Sequence, residues 1–353
     1  MPDKRVLCSR RRGRGRHPWV FSNEVQRSEG EPGPGDAVLV FDRGRLVGSA
    51  LYNPHSLIAA RLYSGSDEAF DSELLGSRLL AARERRRAAL PGEEDFRLAH
   101  GEPDGLPGLV VDKYGDQYVV QAHSVGIDQR LELVSRALVE QLGATAVYER
   151  DDSRLREPEG LPRVERALFG EPGEAMVSEN GARFRADLRH GQKTGWFFDQ
   201  RVTRRRVRAL ARDRSCLDVF SYSGGFAVNA ALGGAKRVAA VDSSAAACSL
   251  GAANAELNKV GDRCEFRCEE AFRFLESLPG PEAGFDLVVL DPPSFIKSKR
   301  EKQGGLRGFR RINAAAMRLL PEGGILVTCS CSHHLSWPEM RDMLAAAAED
   351  AGR

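Results

Sequence analysis

Two short segments of the chain hold the residue types that could make and break bonds on a substrate. The first, Thr328-Cys329-Ser330-Cys331-Ser332-His333-His334, follows an apolar run and offers two thiols two positions apart. A thiolate attacks electron-poor rings well, so a cysteine at the substrate-facing end of a strand is a candidate nucleophile. Thr328 should end the strand, and the turn through Ser330 and Ser332 should lift Cys331 outward. Cys329 should stay near the sheet as a small apolar residue. Two other readings compete. One is a Cys/Cys/His/His metal site, although the spacing is tighter than structural zinc sites use and no second ligand pair is evident. The other is a pair of inert buried thiols. The second segment, Leu290-Asp291-Pro292-Pro293-Ser294-Phe295, puts an acid before two prolines that lack N–H groups. Such a turn fixes a carboxyl group and nearby carbonyls at a strand edge, and Asp291 is the candidate acid.

Further carboxylates and glycines fall at the ends of other apolar runs. Leu217-Asp218-Val219-Phe220-Ser221-Tyr222-Ser223-Gly224-Gly225-Phe226 sets two glycines between a strand and a helix, where the backbone can approach a ligand. It is not the Gly-x-Gly-x-x-Gly pattern, which argues against a dinucleotide. Asp242, in Val241-Asp242-Ser243-Ser244, could accept both hydroxyls of a ribose. A helix N-cap is the plainer role there, and Ser243 or Ser244 fills it as well. Glu269-Glu270 sits where an adenine amino group could be received.

The elements that must position these groups divide the chain in three. Residues 1–68 read as a small β-rich domain, with strands at 37–41, 46–51 and 58–63. Residues 69–188 read as an α+β domain. It has helices at 72–90 and 127–142, strands at 109–112, 118–123 and 146–150, and a loop over 157–174. A hairpin follows, turning at Asn180-Gly181. Residues 189–353 alternate strands (216–220, 237–242, 264–267, 285–290, 324–328) with helices (202–212, 225–232, 245–258, 271–277, 308–320, 338–351). That rhythm is a parallel, doubly wound α/β sheet, whose ligands bind at the C-terminal strand edges.

Composition narrows the class. A hydrophobic share of 42% and a charged share of 29% describe a globular protein, and no apolar run approaches a membrane span. No leader pattern is visible, so a cytoplasmic location is expected. Net charge is only +2, but five arginines fall at positions 10, 11, 12, 14 and 16. Such a cluster neutralises phosphates or forms a solvated arm; charge alone does not decide. The seven cysteines follow no regular framework and read as thiols of a reducing compartment.

The segment His190-Gly191-Gln192-Lys193-Thr194-Gly195-Trp196-Phe197-Phe198-Asp199-Gln200-Arg201 closely resembles a motif of a bacterial and archaeal family of rRNA cytosine-carbon-5 methyltransferases. FSYSGGFAVNAA, VDSS, LDPPSF and CSCSHH follow in the family's order, and HPWVFSNEV resembles the start of its RNA-binding PUA domain. The resemblance covers essentially the whole chain. It implies a class I, Rossmann-like catalytic domain that uses S-adenosylmethionine, with large-subunit ribosomal RNA as partner and homodimer formation left open. It implies cofactor contacts at Lys193, Thr194, Asp199, Arg201, Ser223, Gly224, Asp242 and Glu270, and a covalent nucleophile at Cys331. Asp291 would hydrogen-bond ring nitrogen 3 of the cytosine. Water, Asp291 or His333 would remove the carbon-5 proton. An amine-directed methyltransferase without a covalent step, or an RNA-binding protein with an inactive catalytic domain, are the alternatives. Family members usually continue past the last helix with two further strands, so this chain reads as truncated at its C-terminus.

Overall fold

The computed structural model describes all residues except 1–3, 11–16, 297 and 299, together with the side chain of Leu155. Four of the five clustered arginines (11, 12, 14 and 16) therefore lie outside the described residues. The chain forms two compact units, residues 1–178 with 186–198, and residues 179–185 with 199–353.

The first unit opens with a six-stranded sheet of β1 (Arg5–Cys8), β2 (Trp19–Val20), β3 (Val25–Glu29), β4 (Ala37–Asp42), β5 (Arg45–Tyr52) and β6 (Ala60–Ser64), in the order β2-β6-β5-β4-β1-β3. The β4–β5 turn passes through Arg43 and Gly44, both left-handed at φ 50° and 79°, as a tight two-residue hairpin requires. After α1 (Ser72–Ala89), a second sheet holds β7 (Phe96–His100), β8 (Leu109–Tyr114), β9 (Gln117–Ala122), β10 (Ala146–Asp151) and β11 (Val164–Phe169) in the order β11-β10-β9-β8-β7. The short α2 (Val125–Asp128) and α3 (Leu131–Leu142) connect β9 to its parallel neighbour β10. Leu75, Leu79, Leu98, Val120, Val134 and Leu138 pack between α1, α3 and this sheet.

Three expectations need correction here. Residues 157–174 contain a strand, β11, and are not all loop. Its register on β10 is made by backbone bonds at a sheet edge, and most of its side chains face solvent. No apolar alternation therefore marked it. The helix expected at 127–142 is two helices, because Arg130 leaves the helical region at φ −115° and ψ 12°. The helix expected at 308–320 begins six residues earlier, at Lys302. Its early glycines hid it, and one has a packing reason. A Cβ on Gly305 would come within 2.4 Å of Ile296 and 2.6 Å of the Phe295 carbonyl.

Strands β12 (Ala175–Glu179) and β13 (Ala182–Ala186) form a hairpin where the chain passes from one unit to the other. Asn180 and Gly181 are both left-handed, the geometry expected of that Asn-Gly turn. The second unit then runs α4 (Arg201–Leu210), β14 (Ser215–Val219), α5 (Gly225–Leu232), β15 (Arg237–Asp242), α6 (Ala245–Leu257), β16 (Cys264–Cys268), α7 (Ala271–Ser277), β17 (Leu287–Leu290), α8 (Lys302–Leu319), β18 (Ile325–Thr328) and α9 (Trp337–Asp350). All five strands are parallel, in the order β16-β15-β14-β17-β18. Leu287, Val288, Val289 and Leu290 of β17 are all buried, as expected of a strand covered by helices on both faces. From β14 the chain winds first toward β15 and later toward β17. The crevice between β14 and β17 is therefore where a doubly wound sheet binds its ligand. Among the described residues, no helix is long and apolar enough to cross a membrane.

Candidate active site

The C-terminal ends of β14, β15, β17 and β18 carry the candidate residues. Asp242 ends β15, and its two carboxylate oxygens accept from the backbone N–H groups of Tyr222 and Ser244, each at 2.9 Å. These bonds orient the carboxylate and leave further lone pairs for a ligand's hydroxyls. The cap of α6 is Ser244, whose hydroxyl accepts from the N–H of Ala247, so Asp242 is not needed for capping. The loop after β14 is held in an unusual backbone. Phe220, Tyr222 and Gly224 are all left-handed, at φ 64°, 46° and 79°. Two non-glycine residues there store strain of a kind that collects at ligand sites. Gly224 is also required by packing, since a Cβ would meet the Phe266 ring at 2.8 Å. Asn254, fully buried on α6, donates to the Ser223 carbonyl at 3.0 Å and accepts from the Arg185 N–H at 2.8 Å.

Asp218 of β14 lies beneath this loop and is buried. One oxygen accepts from the N–H of Ala227 at 2.9 Å, while Oδ1 has no partner among the described residues. Burial, assisted by the negative fields of Asp291 and Asp242, pushes its carboxyl up to about 8. The buried hydroxyl of Ser221 also lacks a partner among the described residues. An unmatched carboxyl oxygen and an unmatched hydroxyl beside the Asp242 and Asp291 carboxylates suit a polar ligand that brings positive charge and hydrogen-bonding groups. S-adenosylmethionine, with its sulfonium, ammonium and ribose groups, is such a ligand.

The neighbouring edge holds the reactive candidates. Gln200 donates to Asp291 Oδ1 at 3.1 Å and lies 4.0 Å from the Cys329 sulfur. Burial, then the charge of Asp291, pushes the Cys329 thiol up to about 12. Cys331 is exposed. The Asp291 turn and the cysteine turn touch through the hydroxyls of Ser294 and Ser332, 3.1 Å apart.

Other candidates sit in structural roles. Glu270 caps α7, accepting from the N–H groups of Phe272 and Arg273. Arg201 and Arg204 are buried against Glu179, itself fully buried. Asp199 is exposed, and its charge is felt at Cys329. Lys193 and Thr194 belong to the first unit. There the Lys193 ammonium lies 4.3 Å from the centre of the Phe197 ring, and the buried Thr194 hydroxyl bonds Asp112 and Tyr114. Gln200, Asn254 and Asp218 were not singled out from the sequence. Gln200 and Asp218 stood inside the quoted motifs, but nothing in the sequence showed which way they point.

Fold and strand-edge chemistry together define a class I methyltransferase. Residues 129–348 match the family model described as S-adenosylmethionine-dependent methyltransferase, and residues 9–65 match a PUA-like domain. The chain belongs to this family of S-adenosylmethionine-dependent methyltransferases that carry an N-terminal PUA-like domain, and S-adenosylmethionine is its cofactor. It is 38% identical over 346 residues to ribosomal RNA large subunit methyltransferase I of Escherichia coli O139:H28, covering 96% of this chain and 87% of that one. The protein of the same description from Erwinia tasmaniensis is 37% identical over 345 residues, with the same coverage. Among solved structures, a Streptococcus mutans chain assigned as a SAM-dependent methyltransferase shares the fold. Its TM-score is 0.78 at 18% identity, covering 98% of this chain and 90% of that one.

Proposed function

We propose that this enzyme methylates carbon 5 of a cytosine in large-subunit ribosomal RNA, through a covalent adduct with Cys331. One observation carries the reading: Cys331 is an exposed thiol on a turn bonded to the Asp291-Pro292-Pro293-Ser294 turn. The likeness to relatives described as ribosomal RNA large subunit methyltransferase I supports the substrate class. S-adenosylmethionine supplies an electrophilic methyl group. Ser223, Gly224 and Asp242 would hold it, with Asp199, Arg201 and Glu270 as further contacts; Lys193 and Thr194 rest on the sequence resemblance alone. The Cys331 thiolate adds to carbon 6, which breaks the ring's aromaticity and makes carbon 5 nucleophilic. Asp291, oriented by Gln200, delivers a proton to ring nitrogen 3 as the thiolate adds, which neutralises the charge of the adduct. After transfer a base, for which water, Asp291 and His333 are the candidates, takes the carbon-5 proton. The electrons of that C–H bond re-form the carbon 5–carbon 6 double bond, the thiolate leaves carbon 6, and nitrogen 3 returns its proton to Asp291. The target base must be unpaired or flipped to reach the thiol.

Residues 1–68 would capture RNA, residues 69–188 would link, and residues 189–353 would catalyse, in the cytoplasm where ribosomal RNA is made. The decisive experiment is mass mapping of ribosomal RNA from cells lacking the gene: one 5-methylcytosine of the large subunit should disappear and return on complementation. Two narrower results are expected. Asp242→Ala should weaken S-adenosylmethionine binding by about 1–3 kcal/mol in calorimetry, because a half-buried hydrogen-bonding partner of a polar ligand is lost. Unchanged affinity would mean the ribose lies elsewhere. Replacing Arg11, Arg12, Arg14 and Arg16 by Ser should lower the salt slope of RNA binding by up to about 3 and spare cofactor binding. An unchanged slope would make the cluster a solvated arm.

A further inference from the structure

The start of α9 carries an unusual side chain. Trp337 is 73% exposed, whereas tryptophan is normally among the most covered residues. It stands six positions after Cys331, on the same C-terminal edge of the sheet. The helix start that carries it is held by hydrogen bonds. The backbone N–H and the hydroxyl of Ser336 both donate to the Glu339 carboxylate at the first turn of α9, at 3.0 and 2.7 Å. Around this helix start, Leu335, Met340 and Met343 pack on Ile296 and Phe309. The Lys302 ammonium reaches Glu339 at 2.5 Å, so the first turns of α8 and α9 lie side by side. The segment leading into α8, Lys297-Ser298-Lys299-Arg300-Glu301-Lys302, holds four cations in six positions; Lys297 and Lys299 lie outside the described residues, and Arg300 is exposed.

We propose that Trp337 is a stacking platform for an unpaired base beside the reacting nucleotide, with Arg300 and Lys302 drawing the adjoining phosphates. The proposal rests on the RNA reading above. An exposed aromatic face on a hydrogen-bonded helix start, with cations nearby, is what single-stranded nucleic acid requires, since every base offers a π-face and every linkage a negative charge. Trp337 is a positioning residue: it holds the strand so that the neighbouring base meets the thiol.

The test uses the full chain and a short, unstructured, cytidine-containing oligoribonucleotide. In the parent, binding should quench tryptophan fluorescence; Trp196 is buried and should report little, and comparison with Trp337→Ala separates the Trp337 signal from that of half-buried Trp19. Trp337→Ala should lose most of the quenching and bind the oligoribonucleotide between roughly 5- and 150-fold more weakly. Its KM for RNA should rise while kcat at saturating RNA and affinity for S-adenosylmethionine stay unchanged. Trp337→Phe should stay close to the parent, because a stacking face remains. RNA affinity and KM unchanged in Trp337→Ala would overturn the proposal. So would conversion of a dimer to a monomer in sedimentation, which would place the ring against a second copy. A parent that binds S-adenosylmethionine but no RNA would instead overturn the RNA reading, and the platform with it.

Discussion

Replacing Cys331 by Ala is expected to lower methyl transfer by roughly three orders of magnitude or more, the usual result of deleting a covalent nucleophile. Cys329→Ala should keep most of the activity. The two thiols stand two positions apart, but their surroundings differ. Cys329 is half-buried beside Gln200, with a thiol pushed up to about 12 by burial and the charge of Asp291, so it stays protonated at neutral pH. Cys331 is exposed on the turn beyond the strand and can meet a base. RNA containing 5-fluorocytosine checks the assignment directly, because fluorine at carbon 5 blocks release and leaves the adduct trapped. Trapping should vanish in Cys331→Ala and persist in Cys329→Ala; the reverse pattern would exchange their roles. Full activity in Cys331→Ala, with no trapping by either cysteine, would favour an amine-directed reaction through Asp291-Pro292-Pro293.

The largest expected effect on stability lies at Glu179. Its carboxylate is fully buried, bonded to Arg204 at 2.5 and 2.8 Å and to Arg201 at 3.3 Å. Glu179→Ala would leave two buried guanidinium groups without this counter-charge. A buried charge deprived of its partner costs about 3–5 kcal/mol. Urea unfolding should show a loss of that size, with an unchanged slope if the native state stays compact. Glu179→Gln keeps hydrogen-bond acceptance but not the charge, and should fall between. A loss below about 1 kcal/mol would mean the arginines turn outward to water. S-adenosylmethionine affinity should fall as well in Glu179→Ala, since Arg201 loses the partner that holds it.

The catalytic sheet was legible because buried parallel strands read as apolar runs and their helices as periodic ones. β15, α5 and α7 fall at the residues expected. The first sheet was only half legible. Its strands β1, β2 and β3 are short, as is β7 of the second sheet, and they pair by backbone bonds that side-chain pattern does not announce. At the site, residue types and order pointed to Asp242, Asp291 and Cys331. The sequence could not show that Gln200 stands between Asp291 and Cys329, or that Asp218 keeps an unmatched oxygen beneath the loop. Those facts depend on side-chain direction across strands distant in sequence. Gly224 is instructive in another way: the glycine suggested close approach to a ligand, and the structure adds that Phe266 already fills the space a side chain would need.

The bond from the Arg185 N–H to Asn254 also bears on the order in which the chain folds. It joins residues 69 positions apart, and the segment between them holds α4, β14, α5 and β15. The Asn-Gly hairpin itself is local and can form within microseconds. Its mooring on α6 closes a long loop, and that entropy is recovered only once β14 and β15 have paired and α6 has docked. The hairpin should therefore form early as a turn and lock late as an anchor. Substitutions at Asn254 should then speed unfolding more than they slow folding, leaving the refolding limb of the chevron nearly in place.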